Sequence, residues 1–315
     1  VVVRAAFADT LIAAKERRPD LFVLDGDCAK STNTARFAER YPDSFLNVGI
    51  SEQHMIGTSA GLALMGFRPV ACSFAAMLVA RAGEQILQSI AYQSLPVKLA
   101  GHYAGVSGAR EGAPHHAICD LAFMRAVPGM TVWTPADDGD VQMLTNALID
   151  GDGPGYIRLS REPVPPLGNA EGDPRDGVRY WHGGEEAMLV GIGTGVGVAL
   201  EAAGQLNAQG IATRVLAVTR LKPFPTEALL ARAGNCRLVA TVEEHSIIGG
   251  LASAVSEVLA AVGGPPLEAI GIRDTFTETG SYADLLHRYG LDAGSVVDAV
   301  KRRLEQRPHR AWRIA

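Results

Sequence analysis

The chain has 315 residues, enough for two ordinary domains. Its 47% hydrophobic share and mean hydropathy of +0.10 fit a well-packed globular protein that buries some surface against a partner. A net charge of −5 argues against a nucleic-acid surface, and the apolar stretch Met55 to Phe67 is shorter than the roughly 20 residues that span a bilayer.

Short apolar runs alternate with longer helical periods, which predicts an α/β fold with largely parallel sheets. In chain order the strands are expected at 21–25, 45–49, 68–72, 96–100, 130–134 and 155–159. Helices are expected between them at about 5–17, 53–65, 76–93 and 137–149. A stretch rich in Pro, Gly and charge, "REPVPPLGNAEGDPRDGVRYWHGG", reads as a linker. It separates a first domain, 1–165, from a second, 184–315, with 166–183 as the linker proper. The second domain repeats the alternation: strands at 187–193, 213–218, 238–242 and 267–272, helices near 195–208 and 248–260, and a helical end over 281–305. The basic tail "KRRLEQRPHR" is a solvated helix end.

Cys28, Cys72, Cys119 and Cys236 lie far apart with no C-x-x-C, so reduced, buried thiols in a cytoplasmic protein are expected. No signal peptide is visible, and the opening "VVV" in place of Met points to a piece removed or left out before it.

Three motifs invite more than they carry. "GIGTGVGVAL" has the spacing of a dinucleotide loop, yet no acidic residue ends the next strand, "TRVLAV". A tight strand-to-helix turn is the better reading. "DGDGPGY" at 150–156 has the Gly-Asp-Gly of a thiamine-enzyme metal motif, but 173–180 contains no Asn and Asn169 is too near, so it reads as a turn. His115 and His116, adjacent on a loop, point in opposite directions and make a poor zinc clamp, so no metal site is expected in this chain.

"GISEQH" holds the oddest residue. A strand ends near Gly49, and Glu52 carries a carboxylate into the start of a helix that is otherwise small or apolar, "GTSAGLALMG". Gly57 and Gly61, four apart on one face, allow another backbone to approach closely. On their own these features suit a surface Glu stabilised by a helix N-terminus better than a buried functional one.

Read together, "FLNVGISEQHMIGTSAGLALMGFRPVACSFAAML", "HYAGVSGAREGAPHHAICDLAFMRAVPGMTVWTPAD" and "VEEHSIIGGLASAVSEVL" resemble the transketolase family, namely its pyrimidine-binding and C-terminal domains. The resemblance covers nearly the whole chain. The diphosphate-binding domain with its Gly-Asp-Gly…Asn motif is not among these residues, so the chain resembles the second subunit of a split transketolase. The resemblance implies thiamine diphosphate as cofactor, with Mg²⁺ or another divalent cation held by a separate diphosphate-binding subunit in an α2β2 assembly. It implies transfer of a two-carbon ketol unit from a ketose phosphate to an aldose. In this reading Glu52 is the carboxyl that hydrogen-bonds N1′ of the aminopyrimidine, in a dry pocket where it can share a proton with a weakly basic ring nitrogen. Phe74 covers the ring, with Met77 where many members have a second aromatic. Arg4, Ser31 and Arg161 hold the sugar phosphate, and His116 meets the substrate near the reacting carbons.

Departures from the family pattern leave the sugar open. Gly112 stands where members have an Asp that senses a substrate hydroxyl, and a phosphate-site histidine falls near Tyr103 or Ala104, with His102 displaced. A 2-oxoacid dehydrogenase β-subunit, a deoxyxylulose-phosphate-synthase-like enzyme and a non-catalytic regulatory subunit are the competing readings.

Overall fold

The computed structural model describes residues 3–164, 166–168 and 170–306. Pro165, Asn169 and part of the basic tail therefore lie outside the described residues. Two α/β units pack together, each around its own sheet. The first contains β1 (Leu21–Asp25), β2 (Phe45–Asn47), β3 (Arg68–Phe74), β4 (Lys98–His102), β5 (Thr131–Trp133) and β6 (Gly155–Leu159). All six run parallel, and their strand runs read as nearly unbroken apolar sequence because helices cover both faces.

The second sheet is built from β7 (Val178–Trp181), β8 (Ala187–Ile192), β9 (Thr213–Val218), β11 (Leu238–Ser246) and β12 (Leu267–Ile272). Its order is β12-β11-β8-β9-β7, parallel except for the antiparallel edge β7. One strand crosses between the units. The short β10 (Arg220–Lys222) leaves the second unit and pairs antiparallel with β5, giving the first sheet the order β10-β5-β6-β4-β3-β1-β2.

Several elements differ from the sequence expectation. β7 lies inside the stretch read as linker, β11 runs four residues beyond 242, and the helix expected over 76–93 is an α-helix over Ala75–Gln85 followed by a π-helical turn, Ile86–Ala91. The glycines of "GIGTGVGVAL" do form a strand-to-helix turn. A Cβ at Gly195 would lie 2.4 Å from the Val242 carbonyl oxygen, so glycine lets the helix Gly195–Ala208 sit directly on β11. Cys28, Cys72 and Cys236 are buried thiols, but Cys119 is exposed where it precedes the helix Asp120–Ala126. Among the described residues no helix is long and apolar enough to cross a membrane.

In the first sheet the chain adds β2 on one side of β1 and β3 on the other. That reversal of direction opens a crevice at the carboxyl ends of β1 and β3, the place where open α/β sheets bind ligands.

Candidate active site

Five of the seven site residues expected from sequence end a parallel strand or lie on the connection that leaves its carboxyl end. Ser31 follows β1, Glu52 follows β2, Phe74 ends β3, His116 follows β4 and Arg161 follows β6. Their convergence is thus a product of topology. Arg4 reaches the same edge from the first turn of the helix Val3–Arg17, and Met77 lies half-buried one turn beyond Phe74.

Glu52 opens the helix Glu52–Leu64 and is only 3% exposed. The Ser73 hydroxyl donates to its Oε1 at 3.1 Å, and Arg81 Nη1 lies 3.2 and 3.0 Å from its two oxygens. Gly26 lies close against this pair: a Cβ there would stand 3.3 Å from Ser73 Oγ and 3.9 Å from Glu52 Oε1. The carboxylate is therefore a buried acceptor held by a hydroxyl and a half-exposed guanidinium, and the half-buried Phe74 follows its Ser73 partner in β3. Sequence reasoning missed Ser73 and Arg81, which only the adjacency of β3 and its following helix reveals.

Phe74 begins an aromatic cluster. Its ring centroid is 4.4 Å from that of Tyr103 and 5.7 Å from that of His115. The guanidiniums of Arg4 and Arg161 lie 5.8 and 5.0 Å from the Tyr103 centroid, and Arg4 also donates to the Ser31 carbonyl. Arg4, Ser31 and Arg161 are thus brought together, with Tyr103 between the two cations. Tyr103 takes φ +61, which turns the chain sharply as it leaves β4. His102, one residue earlier, is fully buried with its ring edge-on to Phe7 at 5.2 Å, close enough to Arg4 to feel its charge.

The two adjacent histidines part company. His116 is 4% exposed, and its Nδ1 shares a 2.6 Å hydrogen bond with the Thr277 hydroxyl of the second unit. Burial pushes its pKa below the usual value. His115 remains half-exposed against Phe74. Of the pair, His115 is the one in ring contact with Phe74.

Two buried carboxylates shape the loops that carry these groups. Asp25, closing β1, accepts from the Cys28 N–H at 2.7 Å and from the Thr32 and Thr34 hydroxyls at 3.0 and 2.8 Å, which folds the loop bearing Ser31. Glu244, from "VEEHS" on β11, accepts from the Val106 N–H at 3.1 Å and from the Thr194 and Tyr282 hydroxyls. Burial raises the pKa of both carboxyls. Beside Glu244, Arg158 of β6 donates to Asp120, to the Ala117 carbonyl and to the Glu244 carbonyl. The loop between β4 and the helix at Asp120 is in this way gripped from the second unit. Gly112 belongs to that grip: at φ +78, a Cβ there would lie 2.5 Å from Thr279 Oγ1, so no side chain fits.

Among the described residues no group of three or more metal-ligating side chains comes together. The donor set does fit an aminopyrimidine: a buried carboxylate for a ring nitrogen, and an aromatic side chain, Phe74, next in sequence to the serine that holds it.

Comparison with known proteins identifies both domains. Residues 1–166 match the family described as "Transketolase, pyrimidine binding domain", and residues 177–296 match "Transketolase, C-terminal domain". The 6-deoxy-6-sulfo-D-fructose transketolase subunit SqwH of Clostridium sp. (strain MSTE9) is 34% identical, with 98% of this chain and 96% of that protein aligned. One of the subunits of the apulose-4-phosphate transketolase of Actinobacillus succinogenes is 33% identical over 92% of this chain and 94% of its own length. A solved structure described as "Split gene transketolase, inactive beta4 tetramer" superposes with a TM-score of 0.86 at 39% identity, covering 97% of this chain and 99% of that one. The chain belongs to the transketolase family, spanning the pyrimidine-binding and C-terminal domains that these split relatives have as a separate subunit.

Proposed function

We propose that the chain is the second subunit of a split, thiamine-diphosphate-dependent transketolase that moves a two-carbon ketol unit from a ketose with an anionic tail to an aldose. The observation that carries this reading is Glu52, a carboxylate 3% exposed at the carboxyl edge of the sheet and bonded to Ser73, the residue before Phe74. When bound, thiamine diphosphate supplies the carbon nucleophile and the electron sink for breaking the bond next to the ketose carbonyl. Glu52 holds the hydrogen bond to the aminopyrimidine N1′, and Ser73 orients the carboxylate. Phe74, with Met77 behind it on the next helix, covers the ring. Arg4, Arg161, Ser31 and Tyr103 hold the anionic tail. His115, rather than His116, orients substrate hydroxyls or moves protons there, because it stands against Phe74 while His116 is tied to Thr277.

A separate subunit completes the site by holding the diphosphate and its divalent cation, and an α2β2 assembly follows. An uncovered face beside Glu52 supports such docking. Ile50, Leu64, Met65 and Tyr92 are 72%, 67%, 75% and 85% exposed, and nothing lies within 4 Å of where a Cβ would be at Gly57 or Gly61.

The test is reconstitution. The isolated chain should show no ketol transfer, and adding the diphosphate-binding subunit with cofactor should restore it. In that complex Glu52→Gln should lower kcat by about 10²–10⁴-fold. Unchanged turnover would sink the assignment.

A further inference from the structure

The cluster around Tyr103 carries less positive charge than its two arginines suggest. Arg161 Nη1 donates to both oxygens of Glu111 at 2.7 Å, so the carboxylate neutralises that guanidinium. Glu111 lies in the short 3-10 turn Ala109–Glu111, and the Gly280 N–H donates to the Ala109 carbonyl at 3.3 Å, which ties the turn to the second unit. Arg4 is different. Its guanidinium bonds to the Ser31 carbonyl and its buried Nε has no partner among the described residues. Burial pushes the pKa of His102 down to about 3, so its ring adds no charge near neutrality. Arg4, Arg161 and Glu111 together leave one net positive charge.

We propose that Glu111 is a specificity-determining residue that sets this cluster for a singly charged sulfonate tail in preference to a doubly charged phosphate. The proposal rests on the ketol-transfer reading above. A sulfonate offers three acceptor oxygens to Arg4, Arg161 and Ser31 and balances the net charge. A phosphate monoester carries about −1.5 to −2 at neutral pH and brings its excess charge toward the Glu111 carboxylate. Two like charges a few ångströms apart near a protein surface repel enough to change affinity by on the order of tenfold.

The experiment uses the complex reconstituted with its diphosphate-binding subunit and cofactor. Two ketoses of the same carbon chain are compared as donors, one ending in sulfonate and one in phosphate. The native complex should show the higher kcat/KM with the sulfonate. Glu111→Gln should move the sulfonate-to-phosphate ratio about tenfold toward phosphate, with the change in KM, and Glu111→Asp should keep most of the native ratio. A native preference for phosphate, or a ratio unmoved in Glu111→Gln, overturns the proposal. Stabilisation of the complex against heat by methanesulfonate and by methyl phosphate gives the same comparison without turnover. If neither ketose is a donor but methanesulfonate stabilises more strongly and Glu111→Gln reverses the order, the ketol-transfer reading fails and the charge assignment stands. Equal stabilisation by the two anions in both proteins overturns it.

Discussion

His115 and His116 show how one peptide step separates a side chain on the aromatic cluster from one fixed at the junction of the two units. The loop turns so that His115 meets Phe74 while His116 inserts between the two units and bonds to Thr277. His115→Ala should therefore lower kcat of the reconstituted complex by about 10²-fold or more with little change in melting temperature. His116→Ala should show the opposite balance, losing on the order of 1 kcal/mol of stability for the broken hydrogen bond, read from denaturant midpoints. A second residue-scale consequence concerns His102. Its folded pKa of about 3 lies below the usual 6.5, so the unfolded chain takes up a proton that the folded chain refuses. Stability from this group is whole above pH 6.5 and is lost as pH falls from there toward 3. Relative to the native chain, His102→Leu should lose about 2 kcal/mol less between pH 7 and pH 5, measured by urea unfolding at the two pH values.

At the scale of elements, the helix Glu52–Leu64 has two faces with different duties. Met55, Ile56, Ser59, Ala60 and Ala63 pack inward, while Gly57, Gly61 and Leu64 face out. Gly61 is exposed and nothing lies within 4 Å of where its Cβ would be, so Gly61→Leu should leave the isolated chain folded. It should nonetheless weaken assembly with the diphosphate-binding subunit, seen as a shift from complex to free chain in sedimentation. The sequence made this helix and its glycine pair visible because period and residue size are local properties. Likewise β1, β6, β9 and β12 were legible to the residue, since each is an apolar run with clear ends. β7 and β10 were not. Both are short edge strands whose polar residues pair with neighbours distant in sequence, and no local signal distinguishes them from loop. The same limit governs the site. Glu52 and Phe74 stood out by motif, whereas Ser73, Arg81, Tyr103 and the choice between His115 and His116 depend on which strand ends lie side by side.

At the scale of the whole molecule, the second unit acts on the first. Glu244 accepts from Val106, Arg158 reaches the Glu244 carbonyl, and Thr277 and Thr279 close over His116 and Gly112. The "VEEHS" motif, conspicuous in the sequence yet without a role there, is spent largely on this junction. Glu243 accepts from the Leu251 and Ala252 N–H groups at 2.6 and 2.8 Å, and burial pushes its pKa up to about 7.

The strand β10 takes this dependence further. It belongs to the second unit by sequence and to the first sheet by hydrogen bonding, so it covers the edge that β5 would otherwise leave open. A protease that cuts the connection near residues 170–173 severs the backbone without parting the sheet. The two fragments should elute together in gel filtration and separate only in denaturant, because a boundary drawn along the chain is not a seam in the fold.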